Sequence, residues 1–377
     1  MPAKPLPLLL SALLFILLLA AAPVQATPPA PTFADTLVEL ANQERETNGE
    51  LPPLKRADAL EAAAAGHTQA MAERDFLMHC DPDTGATLTT RAEAAGYTDW
   101  TRLTENIAAG YNTPTAVMAA WMASPGHRAN ILDPNVNEIG AGHVHQTDDQ
   151  ANVRQSTNGN CPAAAASGPY YHYWTQDFGR RAAVYPLVIA REALTVASLR
   201  VSLYVYGPAA ATQMRFRNDG GAWSDWQPYS PTAVWDLAAG NGPKQVFVEV
   251  TDGSAASSAE DAVYLHAPPP VAPAAEIANV APPTLSWPHA PANLHYDIYR
   301  SASAPYFTPG GSEASLIAAA LPPPAEGGIM AFGDDTATPG LNYYYQILAV
   351  AGDGVTTAAS QRVGRFLFDL TPGSPTD

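Results

Sequence analysis

Cysteine is nearly absent: only Cys80 and Cys161 occur in 377 residues, so at most one disulfide can form within the chain. Outside the cytoplasm these two can pair, and closing so long a loop stabilises by about 4–5 kcal/mol in the chain-entropy model. The other reading is two unpaired thiols, because sequence alone does not show that the sites meet. Basic residues are scarce too, with 19 Lys and Arg against 36 Asp and Glu. So acidic a surface repels phosphate backbones, which argues against nucleic acid and anionic lipid headgroups as partners. Long apolar runs are missing after residue 22, so no membrane span is expected beyond the first segment. The chain closes on Thr-Pro-Gly-Ser-Pro-Thr-Asp, where no anchor signal is expected. No nucleophile-elbow motif surrounds Ser124, which argues against a serine mechanism.

What is present begins with Lys4, an apolar run from Leu8 to Ala22, and Val24-Gln25-Ala26 as a small-residue cleavage site. Residues 1–26 therefore read as a secretory signal, the alternative being an uncleaved anchor. Cleavage would remove Lys4 and leave 18 basic against 36 acidic residues, a net charge of −18. The expected destination is secreted, extracellular or cell-surface associated. The length exceeds what one compact core fills and predicts two or three domains.

The spacing after Asp35 is helical: Leu37, Leu40, Ala41 and Glu44 share a face, with Asp35 or Thr36 as cap. A second helix is expected over about Asp58–Glu73, with Leu60, Ala64, His67 and Met71 along one stripe. His67 on that stripe reads as a hydrogen-bonded core histidine before it reads as a ligand. Asp81, Asp83 and Gly85 superficially match a calcium loop, but the series lacks the third oxygen ligand and the distal glutamate, so it reads as a turn. A short helix near Arg91 follows. The stretch from Glu105 to Leu132 then places a carboxylate and an imidazole, Glu105 and His127, at the ends of one short helical unit. Thr113-Pro114 starts its helix, and Val117, Met118, Trp121 and Met122 give it an apolar face. Ser124-Pro125-Gly126 breaks it, and His127 is expected on a turn. Beyond Leu132 the period becomes two, predicting antiparallel strands over Glu138–His145 and Tyr170–Phe178 joined by a long loop that carries Cys161. His143 and His145 share one strand face, which either chelates a metal or is solvated; nothing nearby in sequence completes a ligand set.

An ordered series of motifs resembles the CAP superfamily of cysteine-rich secretory, antigen 5 and pathogenesis-related 1 proteins, in its bacterial branch. The motifs are Ala41-Asn42-Gln43-Glu44-Arg45, His67 to Ala72, Phe76 to His79, Glu105-Asn106-Ile107-Ala108, Trp121 to His127, Arg128 to Leu132, Ile139 to Gly142, and Tyr173 to Gly179. They span about residues 33–180, under half of the chain. The resemblance implies an α-β-α sandwich around an antiparallel sheet, with a cleft lined by two histidines and two glutamates that can hold a divalent ion. His79 matches the first histidine and Glu105 the first glutamate. The position of the second glutamate is Ser124, and Tyr173 stands where the second histidine of eukaryotic members would be. His127 is the substitute imidazole, and Glu138 or a water the substitute for the lost carboxylate. Two imidazoles and one carboxylate still suffice for an open zinc site with water in the fourth position. The alternative is a polar network in which Glu105 orients both rings without metal.

From Val184 onward the chain reads as short strands with turn signals. Leu199, Val201, Leu203 and Val205 alternate inward, as do Met214 and Phe216, and Val246, Val248 and Val250. The stretch is similar to immunoglobulin-like modules. Trp223, Trp226 and Trp235 read as core or hairpin packing, or as a sugar-stacking surface. Trp287 and the run Asp334 to Tyr345 resemble a fibronectin type III domain, with Trp287 in the core, Tyr343 at the corner, and Tyr345, Ile347 and Ala349 inward. The fold class is thus α+β: an α-β-α sandwich followed by two all-β sandwiches. The expected boundaries are 33–182, 183–267 and 284–377, with a Pro/Ala linker over 268–283. Function divides between two readings. One is an exported binding protein whose cleft takes zinc or another divalent metal and a small or lipidic ligand, its β-modules engaging a cell surface. The other is a metal-assisted hydrolase with Glu105 as general base.

Overall fold

The computed structural model describes residues 27–365 except 157–160, 162–164, 279 and 325–326. The expected signal segment and the tail from 366 onward lie outside the described residues. Helix α1 (Phe33–Thr47) begins on a capping box: Thr32 Oγ1 accepts from the Asp35 amide at 3.1 Å, and the Asp35 carboxylate accepts from the Thr32 amide at 2.7 Å. The cap is therefore Thr32, not Asp35 or Thr36. Short strand β1 (Lys55–Arg56) leads into α2 (Asp58–Glu73), then β2 (Phe76–Leu77) and α3 (Leu88–Ala94). Strand β3 (Trp100–Ala109) carries Glu105 at its middle; the expectation of Glu105 opening a helical unit is corrected by this ten-residue strand. Its polar Thr104, Glu105 and Asn106 hide the period-two signal.

Helices α4 (Pro114–Ala123) and α5 (Pro125–Ile131) follow, and Ser124 is their shared boundary. His127 lies inside α5 rather than on a turn. Pro125 occupies the first helical position, where a missing amide costs nothing, so it starts a helix as well as ending one. Strands β4 (Glu138–His145) and β7 (His172–Arg181) match the expected pair, and between them β5 (Val153–Gln155) and β6 (Ala165–Ser167) replace part of the expected loop.

The main sheet runs β1-β4-β7-β3, with β1 parallel to β4 and the remaining pairs antiparallel. Period-two alternation sends Ile139, Ala141, Trp174 and Phe178 into the core with Leu37, Val117 and Trp121 of α1 and α4. Tyr173 and Ile107 meet Met71 of α2 on the other face, and Thr175 hydrogen-bonds Thr68 at 2.8 Å. Gly140 and Gly142 let α2 lie directly on the sheet; a Cβ at Gly140 would sit 2.1 Å from the Leu60 carbonyl carbon. The result is the three-layered α-β-α sandwich. Strands β2, β5 and β6 form a small second sheet, tied down by the Cys80–Cys161 disulfide.

Two β-sandwiches follow. The first comprises β8 (Leu187–Ile189), β9 (Thr195–Val196), β10 (Arg200–Val205), β11 (Gln213–Asn218), β12 (Gln227–Pro228), β13 (Thr232–Asp236), β14 (Gly242–Thr251) and β15 (Ala256–Leu265). Its sheets, β13-β10-β8 and β12-β11-β14-β15-β9, enclose the expected valines with Met214 and Phe216. Trp235 packs on Phe216, whereas Trp223 and Trp226 stack on Arg215 at the surface. The second contains β16 (Glu276–Ala278), β17 (Thr284–Pro288), β18 (Asn293–Ser301), β19 (Ser315–Leu321), β20 (Ile329–Gly333), β21 (Tyr343–Ala351), β22 (Thr357–Ala359) and β23 (Val363–Arg365). Trp287, Tyr345, Ile347 and Ala349 are buried as expected, and the Thr338 amide donates to the Tyr343 hydroxyl at 2.9 Å. The linker expectation is corrected within 268–283: β16 pairs with β17 and Ala275 enters the core. Likewise β19 occupies the stretch read as one long loop, Pro309 to Gly328.

The N-terminal domain is docked on the first sandwich. Lys55 pairs with Glu192 at 2.9 Å and also contacts Asp261, and both carboxylates are nearly buried. The Tyr206 hydroxyl donates to the Pro53 carbonyl at 3.0 Å, and the Leu194 amide to Glu39 at 2.8 Å. The two sandwiches also meet, through the Leu199 amide and Gly352 carbonyl at 2.9 Å.

Candidate functional site

Glu105 sits on the edge strand β3, facing α2 and α3, and its carboxylate is buried. Oε1 accepts from His79 Nδ1 at 2.8 Å. Oε2 takes the Arg91 guanidinium of α3, whose other terminal nitrogen donates to the His79 carbonyl at 3.0 Å. Arg91 thus holds the carboxylate and the His79 backbone together. The adjacent Cys80–Cys161 disulfide fixes that same backbone from the other side. Burial alone would push the Glu105 carboxyl up. The hydrogen bond from His79 and the positive charge nearby outweigh it, and the group is held below the usual carboxylate range.

Beside it, Asp177 of β7 is the cross-strand partner of Glu105. Burial, reinforced by the Glu105 charge, pushes Asp177 well above the ordinary range, and neither of its oxygens has a donor among the described residues. Two carboxyls with one guanidinium therefore resolve as one ionised, one neutral.

His67 is the core histidine expected: fully buried, with Nε2 2.9 Å from the Met78 carbonyl and 4.0 Å from Glu105. Burial pushes it down to about 4, although the Glu105 charge acts the other way. Its folded value lies below the unfolded value of about 6.5, so the unfolded chain takes up the proton first as pH falls. Stability is then unaffected above about pH 6.5 and declines from there to about pH 4, by up to roughly 1.4 kcal/mol per pH unit. Urea midpoints measured between pH 7 and pH 4 should show this slope, and His67→Gln should flatten it.

His127 approaches from the other face of β3. Asn106 Nδ2 donates to the His127 carbonyl at 3.1 Å, and Asn130 Nδ2 donates to the Glu105 carbonyl at 3.1 Å and to Asn106 Oδ1 at 2.9 Å. These bonds pin α5 to the strand edge. Burial and then the neighbouring His79 push the His127 ring below its ordinary value, so the two imidazoles lie within electrostatic reach. Among the described residues no hydrogen bond or ion pair joins the His127 ring to Glu105. The structure therefore brings His79 and Glu105 into contact, with the His127 ring within electrostatic reach of His79.

The other two candidates lie elsewhere. Ser124 is half-buried at the α4–α5 junction, with main-chain bonds to Trp121 and Arg128. Glu138 accepts from the Tyr97 hydroxyl at 2.8 Å and from Arg181 at 2.5 Å, a bridge removed from Glu105. The second carboxyl at the site is Asp177, which the sequence reading did not select. Pairing β3 with β7 and applying period two would have put Glu105 and Asp177 on one face. Arg91 had no comparable signal, because only the fold turns α3 toward β3. Among the described residues, no group of three or more His, Cys, Asp and Glu side chains is placed to hold a metal ion.

Residues 38–178 match the profile of the CAP family, the cysteine-rich secretory protein family. The N-terminal α-β-α domain belongs to that family, and the chain carries two β-sandwiches after it. A curated relative, the Bacillus subtilis protein YkwD, is 39% identical over 108 residues, covering 29% of this chain and 41% of that protein. The match therefore spans well under half of the relative. Among solved structures, an extracellular SCP-domain protein from Bacillus anthracis is 22% identical with a TM-score of 0.30, covering 41% of this chain and 45% of that one. A two-domain fibronectin type III segment of chicken tenascin is 12% identical with a TM-score of 0.19, covering 48% of this chain and 96% of that one. No helix of the described residues is long and apolar enough to cross a membrane.

Proposed function

We propose that this is an exported binding protein whose CAP domain presents His79 and His127 as a two-imidazole site for an exchangeable divalent transition metal. In this reading Glu105 orients His79 instead of ligating. The observation that carries it is the His79–Glu105 bond of 2.8 Å on a carboxylate already neutralised by Arg91. An ionised carboxylate only accepts, so His79 carries its proton on Nδ1 and offers the Nε2 lone pair outward. A ligating histidine is commonly oriented by such a carboxylate. Two protein ligands fall short of the four of a structural zinc site, so the expected affinity lies far below the ~10–16 kcal/mol of such sites. The remaining positions are open to water or a small ligand. A bound zinc or similar ion would supply Lewis acidity there, while the chain's residues hold and orient it.

Titration calorimetry on the full mature chain should give weak one-site zinc binding at neutral pH that His79→Ala or His127→Ala abolishes. Glu105→Gln, which removes the orienting charge, should weaken it by about 10–100-fold. No heat, or equal heat from the double alanine variant, would count against the metal. The hydrolase reading needs a free base beside the ligands, and Glu105 is committed to His79 and Arg91. Turnover of a peptide, ester or glycan panel by the zinc-loaded chain would reverse that preference. The docked β-sandwiches serve as the carrier that engages a surface.

A further inference from the structure

A second concavity opens at the far end of β3 and β7, on the edge formed by Tyr111, Asn112, His145, Tyr170, Tyr171 and His172. Its volume is about 610 Å³, and among the described residues no Lys, Arg, Asp or Glu lines it. On a chain with net charge −17, an uncharged pocket of this size is a local departure that calls for an occupant without charge. Two of its rings stand out in solvent, Tyr111 at 37% and Tyr171 at 43% exposure, and the backbone that carries each is tied down.

The Tyr111 carbonyl accepts from the buried Trp174 indole at 2.8 Å. The Tyr170–Tyr171 corner is tied to Asp149, whose Oδ2 accepts from the Tyr170 amide at 2.6 Å, the Tyr171 amide at 2.8 Å and the Tyr173 hydroxyl at 3.0 Å. Tyr171 keeps a left-handed backbone, φ 63°, which a bulky side chain adopts only when its surroundings impose it. His145 and His172 stack in parallel with ring centres 4.2 Å apart, and His143 Nε2 lies 3.0 Å from His172 Nδ1. Burial keeps His143 and His172 below the ordinary imidazole range, so that pair is uncharged at neutral pH.

We infer that this pocket is a preorganised subsite for a neutral saccharide. The exposed phenol faces would stack on the C–H face of a sugar ring. The Asn112 amide, the imidazole edges and the hydroxyls of Tyr111 and Tyr171 would exchange hydrogen bonds with its hydroxyls, the Tyr170 hydroxyl being taken by Ser167 and Gln155. Tyrosine suits this use because it offers a rigid amphipathic surface at little entropic cost, and fixing the corner in advance reduces the ordering cost of binding. Polar groups converging beside exposed aromatic rings can fix the orientation of a small ligand.

The test uses the full mature chain and three neutral probes, chitotetraose, cellotetraose and maltotetraose, in calorimetric and NMR titrations. At least one should bind, and Tyr111→Ala or Tyr171→Gly should weaken it at least tenfold, while Tyr171→Phe retains most of the affinity. Tyr171→Gly relieves the left-handed strain, so its fold should survive, which thermal unfolding checks. The His79→Ala, His127→Ala double variant should bind the sugar normally, which separates this site from the imidazole pair. Binding of none of the three, unchanged binding by the glycine variant, or preference for an anionic oligosaccharide such as oligogalacturonate would overturn the inference.

Discussion

Arg91→Met lowers the stability of the chain by about 3–5 kcal/mol, the cost of removing one partner from a buried ion pair. The guanidinium is the cation that contacts Glu105, and Asp177 lies beside the same carboxylate. Without it two adjacent buried carboxyls remain, opposed by the His79 hydrogen bond and by the buried His67 ring 4.0 Å away. The loss includes the Arg91 bond to the His79 carbonyl, so the loop bearing His79 loosens as well. Two features mark the mechanism. Adding Glu105→Gln should recover part of the lost stability, since it removes the uncompensated charge. The single variant should also become relatively more stable in acid, where Glu105 can take up a proton; this is the reverse of the His67 contribution. Urea unfolding of the single and double variants at pH 5 and pH 7 measures both.

Gly140→Ala is the second large effect. The added methyl would lie 2.1 Å from the Leu60 carbonyl carbon and 2.2 Å from the Glu61 nitrogen. Both are main-chain atoms in the first turn of α2, so no side-chain rotation relieves the clash. Overpacking that displaces side chains costs roughly 1–3 kcal/mol, and a contact that must move a helix exceeds that range. The same displacement carries His67 away from Met78, a contact that favours the protonated ring, so the acid-side pH slope should persist or steepen while the stability falls. Thermal unfolding and the pH series check the pair of outcomes together. Gly66→Ala, in the same helix α2, serves as a control for glycine loss without crowding, since nothing lies within 4 Å of the added methyl and its backbone is helical.

The architecture was legible where one physical signal dominated. Strict alternation identified Glu138–His145 and the valine-rich strands, and helical spacing identified α1, α2 and α4. It failed where polar function interrupts the period. Thr104, Glu105 and Asn106 obscure β3, and that is the strand on which the site is built. Pro125 reads in sequence as a stop, yet proline also begins helices, and here it starts α5 and places His127 inside it. Proline and alanine at 268–283 suggested a linker, yet β16 needs only three residues to pair with its neighbour. His79 and Glu105 were identified by family resemblance and meet in space. Arg91 and Asp177 were not, because their importance comes from burial beside Glu105. Burial of this kind depends on how α3 and β7 pack, a property of the whole domain rather than of any local pattern.

Metal binding at this site requires His79 to hold its proton on Nδ1, toward Glu105, with Nε2 free. Nitrogen-15 NMR of the histidine side chains in the full mature chain tests this directly, first alone and then with zinc added. The predicted result is a protonated Nδ1 and bare Nε2 on His79, with zinc shifting that Nε2 and the His127 ring together. A proton found on Nε2 of His79, or zinc that leaves both rings unchanged, would contradict it.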